Sequence, residues 1–264
     1  MINKKQIVIG TSSWGSKINL KKSLELGNKL ISIGLNHFDT APTYGAGYSH
    51  YILNNLSKNN HVLVDTKYGE ITLINFKEII KKFYRFININ SFNKSFEFMR
   101  VNKEIRYQKK FWEIKNIEKF ICKFKHDLGN CEVKTFYLHS PPYNILNKDF
   151  LNKFILMMDE KKILPGISWP DYRDVKMLTN NFSNIALQIS LNTFINSKEI
   201  FFKNKKYLLL NSIFRNNNLI KKDQQIKLDK DIINFLELNK NHKLIIGINS
   251  CESLKSLKEI LINT

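Results

Sequence analysis

The chain is short of the residues that staple, kink or grip. Its 264 residues include three cysteines, five prolines and five arginines. Cys122, Cys131 and Cys251 are odd in number and fit neither a Cys-x-x-Cys pair nor a metal-ligand spacing. That excludes a disulfide framework and a thiolate metal centre, and it predicts reduced thiols in a cytoplasmic protein. No group that would activate a thiol lies beside them, which argues against a catalytic cysteine. Long apolar runs are missing too. No stretch approaches the roughly 18 residues a transmembrane helix needs, so no membrane partner is expected. The apolar stretch at residues 7–10 is too short for the core of a signal peptide. The near-absence of arginine bears on the net charge of +19, which is almost entirely lysine. Arginine is the usual choice for bidentate phosphate and base contacts. In a chain also crowded with Ile and Asn, the lysines read as compositional bias on a solvated surface, and no nucleic-acid partner is predicted.

What is present is a regular alternation. Eight short apolar runs, at residues 6–10, 36–40, 61–67, 135–139, 164–168, 185–191, 207–213 and 243–248, read as strands. Amphipathic stretches separate several of them, at residues 20–33, 145–158 and 231–238. Alternating strands and helices imply parallel β/α units, and eight such units close a single-domain (β/α)8 TIM barrel of the α/β class. A long insertion, about residues 70–134, interrupts the pattern between the third and fourth strands. Residues 83–112 within it interleave aromatic and basic side chains. Single-strand nucleic-acid binding is one meaning of such a pattern; the favoured one is a loop and a helix packed on the barrel.

Four polar residues sit at or just beyond three strand ends: Asp39, then Tyr44 five residues on, Lys67, and His139. In a barrel all three ends open on the catalytic face. A free tyrosine has a pKa near 10, too high for ready proton exchange at neutral pH. An ammonium such as Lys67 favours the phenolate, and Asp39 compensates the lysine's burial. His139 is placed to hydrogen-bond and orient a substrate oxygen. Proton transfer by Tyr44 is one half of carbonyl reduction; a hydride donor supplies the other.

The segments that carry these residues, FDTAPTYGAGYSH, VDTKYG and FYLHSPP, closely resemble the signatures of the aldo-keto reductases, in the bacterial and plant branch acting on sugars and small aldehydes. The resemblance implies a catalytic tetrad of Asp39, Tyr44, Lys67 and His139, with Tyr44 as general acid. It also implies a nicotinamide cofactor, NADPH by default with NADH as the alternative, and a small carbonyl or sugar as substrate. In LPGISWPDY it places Ser168 against the nicotinamide amide, with Trp169 standing where the family has Asn; in IALQISLN it places Gln188 against the same amide. Ser212 and Ile213 fall beneath the cofactor pyrophosphate. Gly247, Asn249 and Ser250, in LIIGINSCESLKSL, fall around the adenosine phosphate, where a helix N-terminus favours an anion. Asn249 replaces the Arg or Lys of NADPH-preferring members, Leu257 an adenine-contacting Asn or Gln, and Ile246 a Pro. The expected function is therefore an NAD(P)H-dependent oxidoreductase interconverting a carbonyl and its alcohol. A catalytically inactive cofactor-sensing relative is the alternative, motivated by these departures. Trp14 and Trp169 are candidate walls of the substrate pocket. The Gly45-x-Gly47 pair lacks the third glycine of a Rossmann fingerprint.

Overall fold

Each of the eight apolar runs overlaps a strand: β1 Ile7–Gly10, β2 His37–Asp39, β3 Leu63–Tyr68, β4 Glu132–His139, β5 Leu164–Ser168, β6 Ala186–Ser190, β7 Leu208–Asn211 and β8 Lys243–Gly247. They pair in parallel, in chain order, into a closed barrel sealed by β1 against β8. The expected (β/α)8 barrel is the fold. The computed structural model describes residues 3–69, 109–168, 177–178, 180–182, 184–190, 193–194, 208–211, 236–237 and 239–263. Around the barrel, among these residues, lie α1 Leu20–Ser32, α2 Tyr48–Ser57, α3 Ile114–Leu128, α4 Lys148–Glu160 and α5 Cys251–Asn263.

The period of two along a strand sorts the side chains into two layers. Ile9, Phe38, Val64, Phe136, Ile167 and Leu187 face outwards into a large apolar cluster with the buried sides of the helices. Val8, Tyr137, Ala186, Leu209 and Ile245 face inwards and fill the barrel. Tyr137 fits there because β5 carries glycine beside it: a Cβ on Gly166 would lie 2.4 Å from the Tyr137 ring. Two residues beyond these inward positions stand Gly10, His139, Gln188 and Gly247. The alternation that builds the core thus also delivers polar and small residues to the upper, C-terminal rim.

The helix ends follow local chemistry. Asn19 caps α1 by accepting from Lys22 N at 2.9 Å, and Asn147 caps α4 by accepting from Phe150 N at 2.9 Å. This second cap starts α4 three residues later than the apolar spacing predicts, after a 3-10 turn at Tyr143–Ile145. Strand β4 begins at Glu132 instead of 135, because the exposed charges of Glu132 and Lys134 flank a single half-buried Val133 and mask the apolar signal there. Of the predicted helix at 231–238, only 236–237 lie within the described residues. The stretch 70–134 behaves similarly: residues 70–108 lie outside, while the remainder forms a 3-10 turn at Lys109–Trp112, α3 and the start of β4. At that turn Phe111 stacks on Tyr68 with ring centroids 4.8 Å apart, and Trp112 is buried. There the aromatics pack on the barrel. No helix among the described residues is long and apolar enough to cross a membrane. The three cysteines are unbridged, and burial pushes the Cys131 thiol up to about 11, away from nucleophilic use at neutral pH.

His50 on α2 is buried against β3, its Nε2 3.4 Å from Thr66 Oγ1. Burial lowers its pKa from 6.5 to about 4. Between those values the unfolded chain binds a proton that the folded chain refuses, so stability falls as pH drops through this window. Replacing His50 with Gln is expected to remove about 3 kcal/mol of that acid sensitivity. Urea unfolding at pH 7 and at pH 4.5 measures it: the midpoint drops steeply for the wild type and less for the variant.

Candidate active site

The register of the barrel sets the site. Gly10 pairs with Asp39 on one side and Gly247 on the other, and Asp39 pairs with Asp65 on β3. Further round, His139, Ser168 and Gln188 stand in one row across β4, β5 and β6. Lys67 follows Asp65 by two residues on the same face of β3. Local pattern therefore brings together residues far apart in sequence.

Lys67 is buried and its ammonium meets Asp39 Oδ1 in an ion pair, while also donating to the Thr40 carbonyl at 3.0 Å. Burial pulls the ammonium down, but Asp39 and the Tyr44 oxygen outweigh it and hold Lys67 above its ordinary value. Asp39 is pushed upwards by its own burial, with Lys67 pulling the other way. The ammonium is the firmer half of the pair: it has two oxygen acceptors and stays charged through the neutral range. Gln188 Nε2 adds a hydrogen bond to Asp39 Oδ1 at 3.3 Å. The sequence points to Gln188 only through the cofactor; in the structure its amide nitrogen also anchors the ion pair.

Tyr44 opens a 3-10 turn, Tyr44–Gly47, between β2 and α2. Lys67 Nζ stands over its ring, 5.1 Å from the centroid. The turn depends on Gly45. Its φ is +58°, and a Cβ there would lie 1.9 Å from the carbonyl oxygen of Trp14, so no other residue fits without moving Tyr44. His139 closes β4 and is buried at the rim. All four members of the expected tetrad are thus on the same end of the barrel, three at strand ends and one in the adjoining turn.

The positions read as cofactor contacts divide. Ser168 Oγ and Gln188 Oε1 are buried without a hydrogen-bond partner among the described residues. Such atoms are costly unless something polar meets them. Around a Cβ built on Gly247 nothing lies within 4 Å, so the end of β8 borders open space. Ser250 and Ser253 cap α5 reciprocally: Ser253 N donates to Ser250 Oγ at 3.1 Å and Ser250 N to Ser253 Oγ at 3.0 Å. Asn249 N also donates to Ser253 Oγ, at 3.2 Å, and its side chain is at the surface. Ser212, Ile213 and Trp169 lie outside the described residues. Trp14 does not line an open pocket: it is fully buried, edge-on to Phe38 at 5.6 Å, and donates from Nε1 to the Ile248 carbonyl at 3.1 Å. Phe38 faces outwards, so Trp14 belongs to the layer between barrel and helices. Leu257 is likewise buried, on α5.

One group was missed from sequence. His37, Asp65 and Lys243 are close together inside the barrel. The signal was available: charged residues at inward parity within strands otherwise apolar.

A chain with this fold has known counterparts. A search of curated proteins gave no match. Among solved structures, the glycerol dehydrogenase of Gluconobacter oxydans superposes with a TM-score of 0.65 at 14% identity, over 97% of this chain and 86% of that one. An aldo-keto reductase of Bacillus halodurans in its holo form gives 0.61 at 13% identity, over 97% and 86%. An aldo/keto reductase of Brucella melitensis gives 0.57 at 11%, over 97% and 87%. At such identities these likenesses speak for the fold. The family itself is carried by a sequence model that matches residues 6–206, and by it the chain belongs to the aldo/keto reductase family.

Proposed function

We propose that this chain is an NAD(P)H-dependent oxidoreductase that interconverts a small aldehyde, ketone or aldose and its alcohol, with Tyr44 as the proton-transferring residue. The observation that carries it is the buried Lys67–Asp39 ion pair with its ammonium over the Tyr44 ring. A cation held there stabilises the phenolate that remains after Tyr44 gives its proton to the carbonyl oxygen. The Thr40 carbonyl and Gln188 keep the pair from turning away. His139 orients the same oxygen from the β4 side. In the reverse direction the phenolate accepts the alcohol proton.

Bound nicotinamide would supply the hydride. The site's residues fit it: Ser168 Oγ and Gln188 Oε1 are buried atoms in want of partners, and a carboxamide offers both donors and an acceptor. The open space at Gly247 leaves room for the dinucleotide, with Asn249 and Ser250 at the α5 N-terminus beside its adenosine phosphate. NADPH remains the first choice by family and NADH the alternative, since Asn249 brings no charge to a 2′-phosphate. Mixing the protein with each cofactor and a panel of aldoses and small aldehydes tests the reading. Oxidation of one cofactor, followed at its absorbance band, is the expected result. Tight cofactor binding with no turnover across the panel would favour the inactive cofactor-sensing relative.

A further inference from the structure

Below the tetrad the barrel holds a second set of charges for which the reaction has no evident use. Asp65 is fully buried, two residues before Lys67 on the inward face of β3 and paired with Asp39 across the sheet. From β2, His37 Nε2 approaches Asp65 Oδ1 at 3.1 Å. From β8, Lys243 Nζ lies 3.0 Å from His37 Nδ1. A charged ammonium can only donate, so Nδ1 accepts and the ring proton sits on Nε2, which lies within ion-pair distance of the carboxylate but out of line for a hydrogen bond. The three groups form a line with its positive end at Lys243, half-buried at the N-terminal mouth, and its negative end inside, under the tetrad. Burial favours the neutral form of Asp65, yet His37 and Lys243 hold its carboxyl below the ordinary value, so it is ionised.

Such a line is expensive core material. Three apolar side chains would fill the layer without desolvating charges. What it provides is a fixed negative charge about 7 Å along the strand from Lys67. Lys67 draws the Tyr44 proton off, and Asp39 opposes it at contact; Asp65, two residues back on the same face of β3, adds a second negative charge against early ionisation of the phenol. We propose that Asp65, held by His37 and Lys243, is a positioning residue for the Tyr44–Lys67 pair, keeping Tyr44 protonated to higher pH than the Lys67–Asp39 ion pair alone allows. Its purpose rests on the carbonyl-reductase reading; its electrostatic effect on Tyr44 does not. Among the described residues, the other titratable groups near this interior include Asp39 on β2, His50 on α2, Tyr137 and His139 on β4 and, near Lys243, Lys134. They are the same in every variant below, so differences isolate the line.

Tyrosine labelled with carbon-13 at the phenolic carbon, in the full chain, gives one resonance that disappears in Tyr44→Phe. Its titration midpoint is the readout. Asp65→Asn is expected to lower that midpoint by about one pH unit, the effect of one unit charge some 10 Å away at an effective dielectric near 20. Lys243→Met is expected to raise it by less, because the positive end lies further off. Opposite directions are what a merely structural role would not produce. Midpoints that do not move, or that move the same way, overturn the proposal. Lys243 is half-exposed, so its variant carries the test alone should Asp65→Asn fail to fold. The titration needs no substrate: a chain that reduces no carbonyl but shows these shifts sinks the proposed function and leaves this inference standing, and the reverse outcome does the opposite.

Discussion

Replacing Tyr44 with phenylalanine is expected to lower carbonyl reduction by about 10²–10⁴-fold, the usual worth of a positioned general acid, while cofactor affinity stays within a few-fold. The variant deletes one oxygen and keeps the ring over which Lys67 sits, so the ion pair beneath has no reason to rearrange. Nor does the turn, because its constraint is the backbone of Gly45 against Trp14. Loss should fall on kcat and kcat/KM alike, since the proton moves only in the transition state. Steady-state kinetics on the best substrate of the panel, with cofactor binding followed by fluorescence, separates the two effects. Unchanged turnover in the variant would sink the assignment of Tyr44.

The second large effect concerns stability. Asp39→Leu is expected to cost about 3–5 kcal/mol, because it strips the buried Lys67 ammonium of its contacting carboxylate and leaves it against the Thr40 carbonyl and the ring of Tyr44. Removing both charges together, as Asp39→Leu with Lys67→Met, is expected to recover most of that loss, since neither partner is then left unpaired. Activity is expected to stay absent in the double variant. Denaturant unfolding of the wild type, both singles and the double closes the cycle. If the double is as unstable as Asp39→Leu alone, the ion pair is not what holds this region. Stability and function then part company: the pair is retained for its charge, not for its contribution to folding.

The barrel was legible in the sequence because its strands are short apolar blocks with turns or amphipathic stretches between them, and the gathering of Asp39, Tyr44, Lys67 and His139 at one end because a polar residue ending such a block is poor core material. Element starts set by a single side chain were not, as at Asn147, where a cap moves the helix start. Exposed strand residues such as Glu132 also carry no pattern of their own. Trp14 shows another limit. Its place after β1 suggested the rim, but whether an indole faces a pocket or a helix depends on which layer its neighbour Phe38 joins, and that is fixed only by closure of the barrel. The line of His37, Asp65 and Lys243 was hidden for a related reason. Each residue alone looks like a polar strand edge; their meeting requires β8 to return beside β1.

That return has a consequence for how the site comes into being. The Lys67–Asp39 contact joins residues 28 apart, whereas the indole of Trp14 reaches the Ile248 carbonyl across 234 residues. Closing a longer loop costs more chain entropy, though the cost grows only logarithmically, and contacts of long sequence separation slow folding. On a ribosome the strands bearing the tetrad emerge well before β8 exists. The half of the site proposed to handle protons can therefore assemble on a partly made chain, while the half proposed to receive the dinucleotide waits for the last strand to be synthesised and the seam at Trp14 to close.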